Sequence, residues 1–157
     1  MPLCMLPPNI TAAQRFVDLV TTCERPCIEM LSRRLDELAL SYHDTPHGDP
    51  DESDDHPTTE GRVTHADISP RFPTLGYYGS ADPKEVPGEA LVGDAIDDIM
   101  DITNDLKEVL WRFDRFGPDD AHWHFRFLYQ VHWGEHLRDL ACYLHSRLQL
   151  GREKSFD

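Results

Sequence analysis

Two sets of residues in the C-terminal half of the chain have the types and spacing of metal ligands. Five acids recur at intervals of three or four residues and would share one face of a helix. They are Asp94, Asp98, Asp101, Asp105 and Glu108. Further along, His132 and His136 are four residues apart and would also share a face. Imidazole nitrogens and carboxylate oxygens together bind divalent zinc, iron or manganese, provided the fold brings the two sets together.

The elements that would position these side chains are two long helices joined at Gly117-Pro118. A stripe of apolar residues with helical period predicts the first helix over 89–115. Pro118 suits the first turn of the second helix, which we expect over 118–149. Because the connection is so short, the two helices must be antiparallel neighbours.

In such a hairpin, residues equally distant from Gly117 lie at the same height. This places Asp98 level with His136, and Asp101 level with His132. These four residues are the candidate metal ligands. A divalent metal bound there would make the protein a metal-dependent enzyme or a metal sensor.

The same acids and histidines have a simpler structural interpretation. Imidazoles paired with carboxylates form a polar network that satisfies both groups and fixes the register of the two helices. The string from His132 through Glu135 to His136 also has the H-x-x-E-H form of one class of zinc proteases. Those enzymes need a further acidic ligand well downstream, and only residues 137–157 remain. The network interpretation predicts no bound cofactor.

Aromatic residues beside the histidines suggest a surface for protein contacts. We predict that this surface binds a basic protein partner or mediates self-association. The residues expected to form it are Tyr129, His132, Trp133, His136 and Tyr143. The function that the sequence favours is therefore a non-enzymatic interaction module, with a metal-binding helical bundle as the alternative.

The composition narrows the classes of partner. The 29 acids outnumber the 15 lysines and arginines and give a formal charge of -14, which repels nucleic acid and anionic membrane surfaces. The first residues lack the basic and apolar regions of a signal peptide, and no apolar stretch is long enough to span a membrane. We therefore expect a cytoplasmic protein whose residues 1–157 form a single helical domain.

The N-terminal half predicts further helices and an acidic loop. Helical spacing over 11–42 indicates a helix interrupted at Pro26. The segment 43–61 contains seven acids, three prolines and no lysine or arginine, so we expect a mobile, disordered loop. A helical turn near 65–69 and an ordered loop should follow, the loop packing Phe72, Leu75, Tyr77 and Tyr78 on the bundle. The expected fold is all-α, with four to five helices and a long antiparallel C-terminal helical hairpin.

The two arms of the hairpin also resemble a known family. The strings DDIMDITNDLK and WHFRFLYQVHWGEHLRDLACYLH are similar to the helical core of the bacterial family called domain of unknown function 5063. The matching residues are Asp97, Asp98, Asp101, Ile102, Asp105, Leu106 and Lys107 in the first string and Trp123, Arg126, Phe127, His132, Trp133, Gly134, His136, Leu144 and His145 in the second. The resemblance implies an all-helical domain and carries no known activity.

Overall fold

The computed structural model describes residues 5–153, with side chains described as far as residue 149. Within that range the chain forms six α-helices and a two-stranded antiparallel sheet. In chain order the elements are α1 (Pro8–Thr21), α2 (Ile28–Asp44), a 3-10 turn (Thr59–Gly61), α3 (His65–Ile68), β1 (Tyr77–Ser80), β2 (Leu91–Asp94), α4 (Ala95–Phe116), α5 (Pro118–Leu128), a π-helical turn (Tyr129–Trp133) and α6 (Gly134–Glu153). The prediction of a mostly helical bundle is confirmed. Across residues 5–153, no helix is both long enough and apolar enough to cross a membrane.

The predicted C-terminal hairpin consists of α4 and a second arm made of α5, the π-helical turn and α6. Gly117 separates the arms with a φ of 92°, which favours glycine, and Pro118 begins α5. Most of the apolar stripe of α4 is fully buried, as is most of that of α6. The residues are Ile99, Ile102, Leu106, Val109, Leu137, Leu140 and Leu144. The backbone of α6 continues through Gly151 to Glu153, so the second arm extends beyond its predicted end at residue 149.

The N-terminal helices pack as a pair against the hairpin. Residues 22–27 separate α1 from α2, in agreement with the interruption predicted at Pro26. Phe16 of α1 and Leu35 of α2 are fully buried in the common core. Asn9 Nδ2 lies 3.0 Å from Nδ1 of the buried His122 and links α1 to α5. Burial lowers the pKa of His122, which keeps the ring neutral and able to accept this hydrogen bond.

A β-hairpin stands where the sequence predicted the beginning of the first long helix. The prediction that this helix starts at residue 89 is wrong, because residues 91–94 pair with β1. The helix starts at Ala95, and the carboxylate of Asp94 accepts a hydrogen bond from the backbone N–H of Ile96 at 2.9 Å. Polar capping and strand pairing thus take precedence over the apolar period that continues through Leu91.

The segment before the β-hairpin packs on the bundle largely as predicted. The helical turn α3 lies at the expected position, and Phe72 and Leu75 are buried. Tyr78 is half-buried, whereas Tyr77 is 77% exposed, so the prediction that Tyr77 packs on the bundle is wrong. The reason is the alternation of a strand, which turns neighbouring side chains to opposite faces.

The acidic segment lies along the hairpin without regular structure. The segment was predicted over 43–61, but it covers only 45–58. Residues 43 and 44 belong to the end of α2, and residues 59–61 form the 3-10 turn. The backbone N–H of Asp51 donates to the buried carboxylate of Asp120 at 2.8 Å, and Asp55 pairs with an arginine of α4 at 2.7 Å. The segment is therefore anchored to the helices, and its mobility stays a prediction.

Replacement of Gly48 by alanine should destabilise the protein by roughly 1–3 kcal/mol. Gly48 has a φ of 65°, and a Cβ there would overlap the carbonyl oxygen of Asp119 in α5. Thermal unfolding followed by circular dichroism measures the effect. Gly61→Ala is the matched control, because no described atom lies within 4 Å of its added Cβ. Equal melting temperatures for the two variants would contradict close packing of the acidic segment on α5.

Candidate metal centre

Asp98 and His136 face each other across the hairpin, as the argument from equal heights predicts. Nδ1 of His136 lies 2.7 Å from Oδ1 of Asp98. A carboxylate can only accept a hydrogen bond, so Nδ1 carries the proton, and Nε2 of the neutral ring keeps its lone pair. At the other side of the ring, Nε2 lies 3.4 Å from Oδ2 of Asp101.

His132 has the same arrangement with a different carboxylate. Its Nδ1 lies 2.6 Å from Oδ2 of Asp105, and its Nε2 lies 3.9 Å from Oδ2 of Asp101. The sequence predicted Asp101 as the partner of His132, but Asp105 makes the closer contact. Each imidazole is thus held at Nδ1 by its own aspartate, and both Nε2 atoms are directed towards Asp101.

Asp101, His132 and His136 form a cluster in which one ligand atom from each residue lies within 4.8 Å of the others. Tetrahedral ligands at zinc bond lengths of ~2.0–2.1 Å are roughly 3.3 Å apart. The distances of 3.4 and 3.9 Å from Asp101 to the two histidines are therefore close to those between ligands of a bound ion. The three side chains are 25%, 42% and 29% exposed, respectively, so water can reach the space in front of them.

A π-helical turn from Tyr129 to Trp133 surrounds His132. The backbone N–H of Gly134 donates to the carbonyl oxygen of Tyr129, five residues earlier. A Cβ at Gly134 would overlap that carbonyl oxygen, so the turn requires glycine at this position. π-helical turns within α-helices are frequent at functional sites, because they redirect side chains relative to a regular helix.

The site has an excess of negative charge. In the part of the chain that the structure describes, none of five neighbouring aspartates forms an ion pair with lysine or arginine. They are Asp94, Asp97, Asp98, Asp101 and Asp105. The hydrogen bond to Asp98 raises the pKa of His136 despite its burial, and burial raises the pKa of Asp105 against the effect of His132. The excess of carboxylates favours a cation at the site, either a proton on His136 or a metal ion that replaces it.

A second group of potential ligands, His65, Asp94 and Asp97, lies at the start of α4. Nε2 of His65 is 3.3 Å from Oδ2 of Asp94, but the His65 side chain is 50% exposed. Among residues 5–149, no carboxylate holds the other ring nitrogen of His65. This group therefore lacks the orientation that Asp98 and Asp105 give to the two histidines of the main cluster.

Three of the four predicted metal ligands come together, and the fourth lies behind them. Asp98 is only 5% exposed and accepts hydrogen bonds from His136 and from the hydroxyl of Tyr78. Each of its oxygens thus accepts one hydrogen bond, and the carboxylate lies on the Nδ1 side of the His136 ring, opposite the Nε2 atom that faces Asp101. Asp98 therefore holds the ring of His136 and lies outside the cluster of three residues, and its role as a metal ligand stays a prediction.

The predicted surface for protein contacts is not continuous. Trp133 is fully buried, because it lies on the apolar stripe of the second arm, so its predicted contact with a partner is wrong. The ring of Tyr129 stacks on that of Tyr42 with centroids 3.8 Å apart, and Tyr143 stacks on Tyr78 at 4.8 Å. One face of each predicted tyrosine is therefore covered by another residue of the same chain.

Sequence reasoning missed two residues of the site. Asp105 is one of the five acids that share a face of the first helix, so the sequence already placed it on the same face as the predicted ligands. It was left out because it is not at the same height as His132 in the hairpin. Tyr78 reaches the site from the β-hairpin, and no periodic pattern connects it with the two long helices. Its role depends on a tertiary contact between distant parts of the chain.

The fold and this cluster define a helical-bundle protein with a candidate Asp/His metal centre. No protein-family model matches the chain, and no curated protein matches it. Among solved structures, the crystal structure of protein BF1032 from Bacteroides fragilis is similar over 88% of each chain, with a TM-score of 0.67 and 19% sequence identity. At that identity, the similarity shows the fold alone. The resemblance to domain of unknown function 5063 stays a prediction.

Proposed function

We propose that this protein binds a divalent transition metal through Asp101, His132 and His136. The observation that carries the proposal is the orientation of the two imidazoles. Asp98 and Asp105 hold the Nδ1 atoms at 2.7 and 2.6 Å, which leaves both Nε2 lone pairs directed towards Asp101. Carboxylates that bind the second nitrogen of a metal-ligating histidine are the usual means of fixing its tautomer and ring orientation.

The ligand chemistry favours zinc, and the exposure favours an open site. Two imidazole nitrogens and one carboxylate oxygen are a ligand set used by zinc enzymes, in which water completes the coordination. Structural zinc sites instead take four protein ligands and are closed to solvent. A metal held here would supply Lewis acidity and an activated water, and the chain would hold and orient it.

Two features also distinguish this proposal from an interaction module: the histidines are partly exposed, and the neighbouring aspartates have histidine partners but no lysine or arginine partner among the described residues. A surface for proteins needs exposed anchors, but Trp133 is buried and the predicted tyrosines are partly covered. The excess carboxylates have no lysine or arginine partner among the described residues, so a cation would relieve their repulsion. Binding to a protein partner and self-association stay predictions.

Metal analysis of protein purified without a histidine tag tests the proposal. We expect a stoichiometric divalent metal after equilibration with zinc, measured by elemental analysis and by competition with a chromogenic chelator. His132→Ala and Asp101→Asn should each weaken zinc binding by at least about 10–100-fold, because the first removes an imidazole ligand and the second replaces a charged carboxylate by a neutral amide. His145→Ala is the matched control, since this exposed histidine lies on the same arm of the hairpin, in α6, away from the cluster.

The proposal would be overturned by wild-type protein that retains no stoichiometric zinc. It would also be overturned by a His132→Ala variant that binds zinc as tightly as the His145→Ala control. Circular dichroism of each variant establishes that the comparison is made between folded proteins.

A further inference from the structure

We propose that Tyr78 is a positioning residue of the metal centre, carried by the β-hairpin, and that it sets metal affinity through Asp98. This inference rests on the proposed function of the Asp101, His132 and His136 cluster. It assigns a role to the β-hairpin, which otherwise contributes little to the helical core.

A chain of hydrogen bonds leads from the β-hairpin to the cluster. The hydroxyl of Tyr78 donates to Oδ2 of Asp98, and Nδ1 of His136 donates to Oδ1 of the same carboxylate at 2.7 Å. Asp98 is 5% exposed and has no lysine or arginine partner among residues 5–149. These two donors therefore stabilise its charge, and the Tyr78 hydroxyl fixes which way the carboxylate faces.

The β-hairpin is built to let the Tyr78 ring reach Asp98. Tyr78 of β1 pairs with Gly93 of β2, and cross-strand partners project their side chains to the same face. A Cβ at Gly93 would overlap the Tyr78 ring, so the absence of a side chain there opens the path over β2. On α6, the ring of Tyr143 stacks against Tyr78 with an interplanar angle of 14°. The hydroxyl is thus placed by contacts with a strand and a helix.

Loss of the hydroxyl should change the metal centre without removing a metal ligand. Asp98 would then lose one of its two donors, and the carboxylate could rotate and release its hold on His136. Partners that orient metal-bound histidines typically contribute a factor of about 10–100 in metal affinity. The Tyr78→Phe variant keeps the ring, and therefore the stacking on Tyr143 that a purely structural role would need.

The test compares Tyr78→Phe with Tyr77→Phe. Tyr77 occupies the same strand, is 77% exposed and makes no hydrogen bond through its hydroxyl within the described structure, so it is a matched control. We expect zinc affinity to fall about 10–100-fold in Tyr78→Phe and to stay unchanged in Tyr77→Phe. Cobalt(II) is the spectroscopic probe: its visible absorption reports ligand geometry and should shift only in Tyr78→Phe. Gly93→Ala, which displaces the ring, should reproduce the effect and serves if Tyr78→Phe does not fold.

The outcomes separate this inference from the function on which it rests. If wild type binds zinc and Tyr78→Phe binds it equally, with the same cobalt spectrum, the role of Tyr78 is overturned and the metal site stands. If wild type binds no metal, the proposed function is overturned, and the role of Tyr78 falls with it. Weaker binding in both tyrosine variants would also overturn the assignment, because the effect would then not depend on the hydrogen bond to Asp98.

Discussion

Saturation with zinc should raise the melting temperature of the chelator-treated protein by about 8–16 °C when free zinc is a thousandfold above the dissociation constant. A ligand that binds only the folded state at that concentration contributes about 4 kcal/mol, and 1 kcal/mol corresponds to about 2–4 °C for a chain of this size. Differential scanning calorimetry with and without zinc measures the shift. The His132→Ala variant should show little of it, whereas a shift as large as that of wild type would contradict binding through His132.

The contribution of His136 to stability should depend on pH with opposite signs in the metal-free and the zinc-bound protein. In the metal-free protein, the hydrogen bond to Asp98 raises the pKa of His136 above its unfolded value near 6.5. Its contribution to stability is then fully present below the unfolded pKa and is lost as pH rises through the folded pKa. Metal binding requires neutral imidazoles, so the stabilisation by zinc should instead decrease as pH falls through the raised pKa of His136.

Unfolding of wild type and His136→Ala between about pH 5 and 8, with zinc or with chelator, measures both trends. With chelator, the deficit of the variant should be largest at low pH; with zinc, it should grow towards high pH. If the loss of stability in His136→Ala is the same with zinc and with chelator, and is always largest at low pH, the result would favour the alternative in which the histidines and aspartates are a structural network.

The C-terminal helical hairpin could be predicted because it depends on local sequence patterns. The apolar period of α4, the break at Gly117 and the short connection to Pro118 dictate an antiparallel hairpin, and that hairpin brings His136 to Asp98. Height along a hairpin is defined only to about one helical turn, or roughly 5.4 Å. It therefore could not decide whether Asp101 or Asp105 holds His132, which depends on the direction of each side chain.

The β-hairpin could not be predicted from the same kind of pattern. Its strands have four residues each, and Leu91 continues the apolar period of the helix that follows. What selects the strand is pairing with a segment at the other end of a ten-residue connection, residues 81–90, together with the contact between Tyr78 and Asp98. Tertiary contacts of this type override local propensity, and they left Tyr78 outside the predicted site.

Gly134→Ala should lower the free energy of unfolding by about 2 kcal/mol or more, against the usual direction of this substitution in a helix. In a regular exposed helix, alanine is about 1 kcal/mol more favourable than glycine. Here a Cβ would overlap the carbonyl oxygen of Tyr129, which accepts the hydrogen bond that closes the π-helical turn. The sign of the effect therefore tests the turn itself, and denaturant unfolding measures it.

The same substitution should also weaken zinc binding by at least about tenfold, because relief of the overlap disturbs the turn that contains His132. If the turn reverted to a regular helix, a shift of one residue would rotate the preceding side chains by about 100° and carry His132 away from Asp105. Ser146→Ala, an exposed change in the same helix, is the control and should alter neither stability nor zinc affinity appreciably. A Gly134→Ala protein that is more stable than wild type, with unchanged zinc affinity, would show that neither the turn nor the orientation of His132 depends on this glycine.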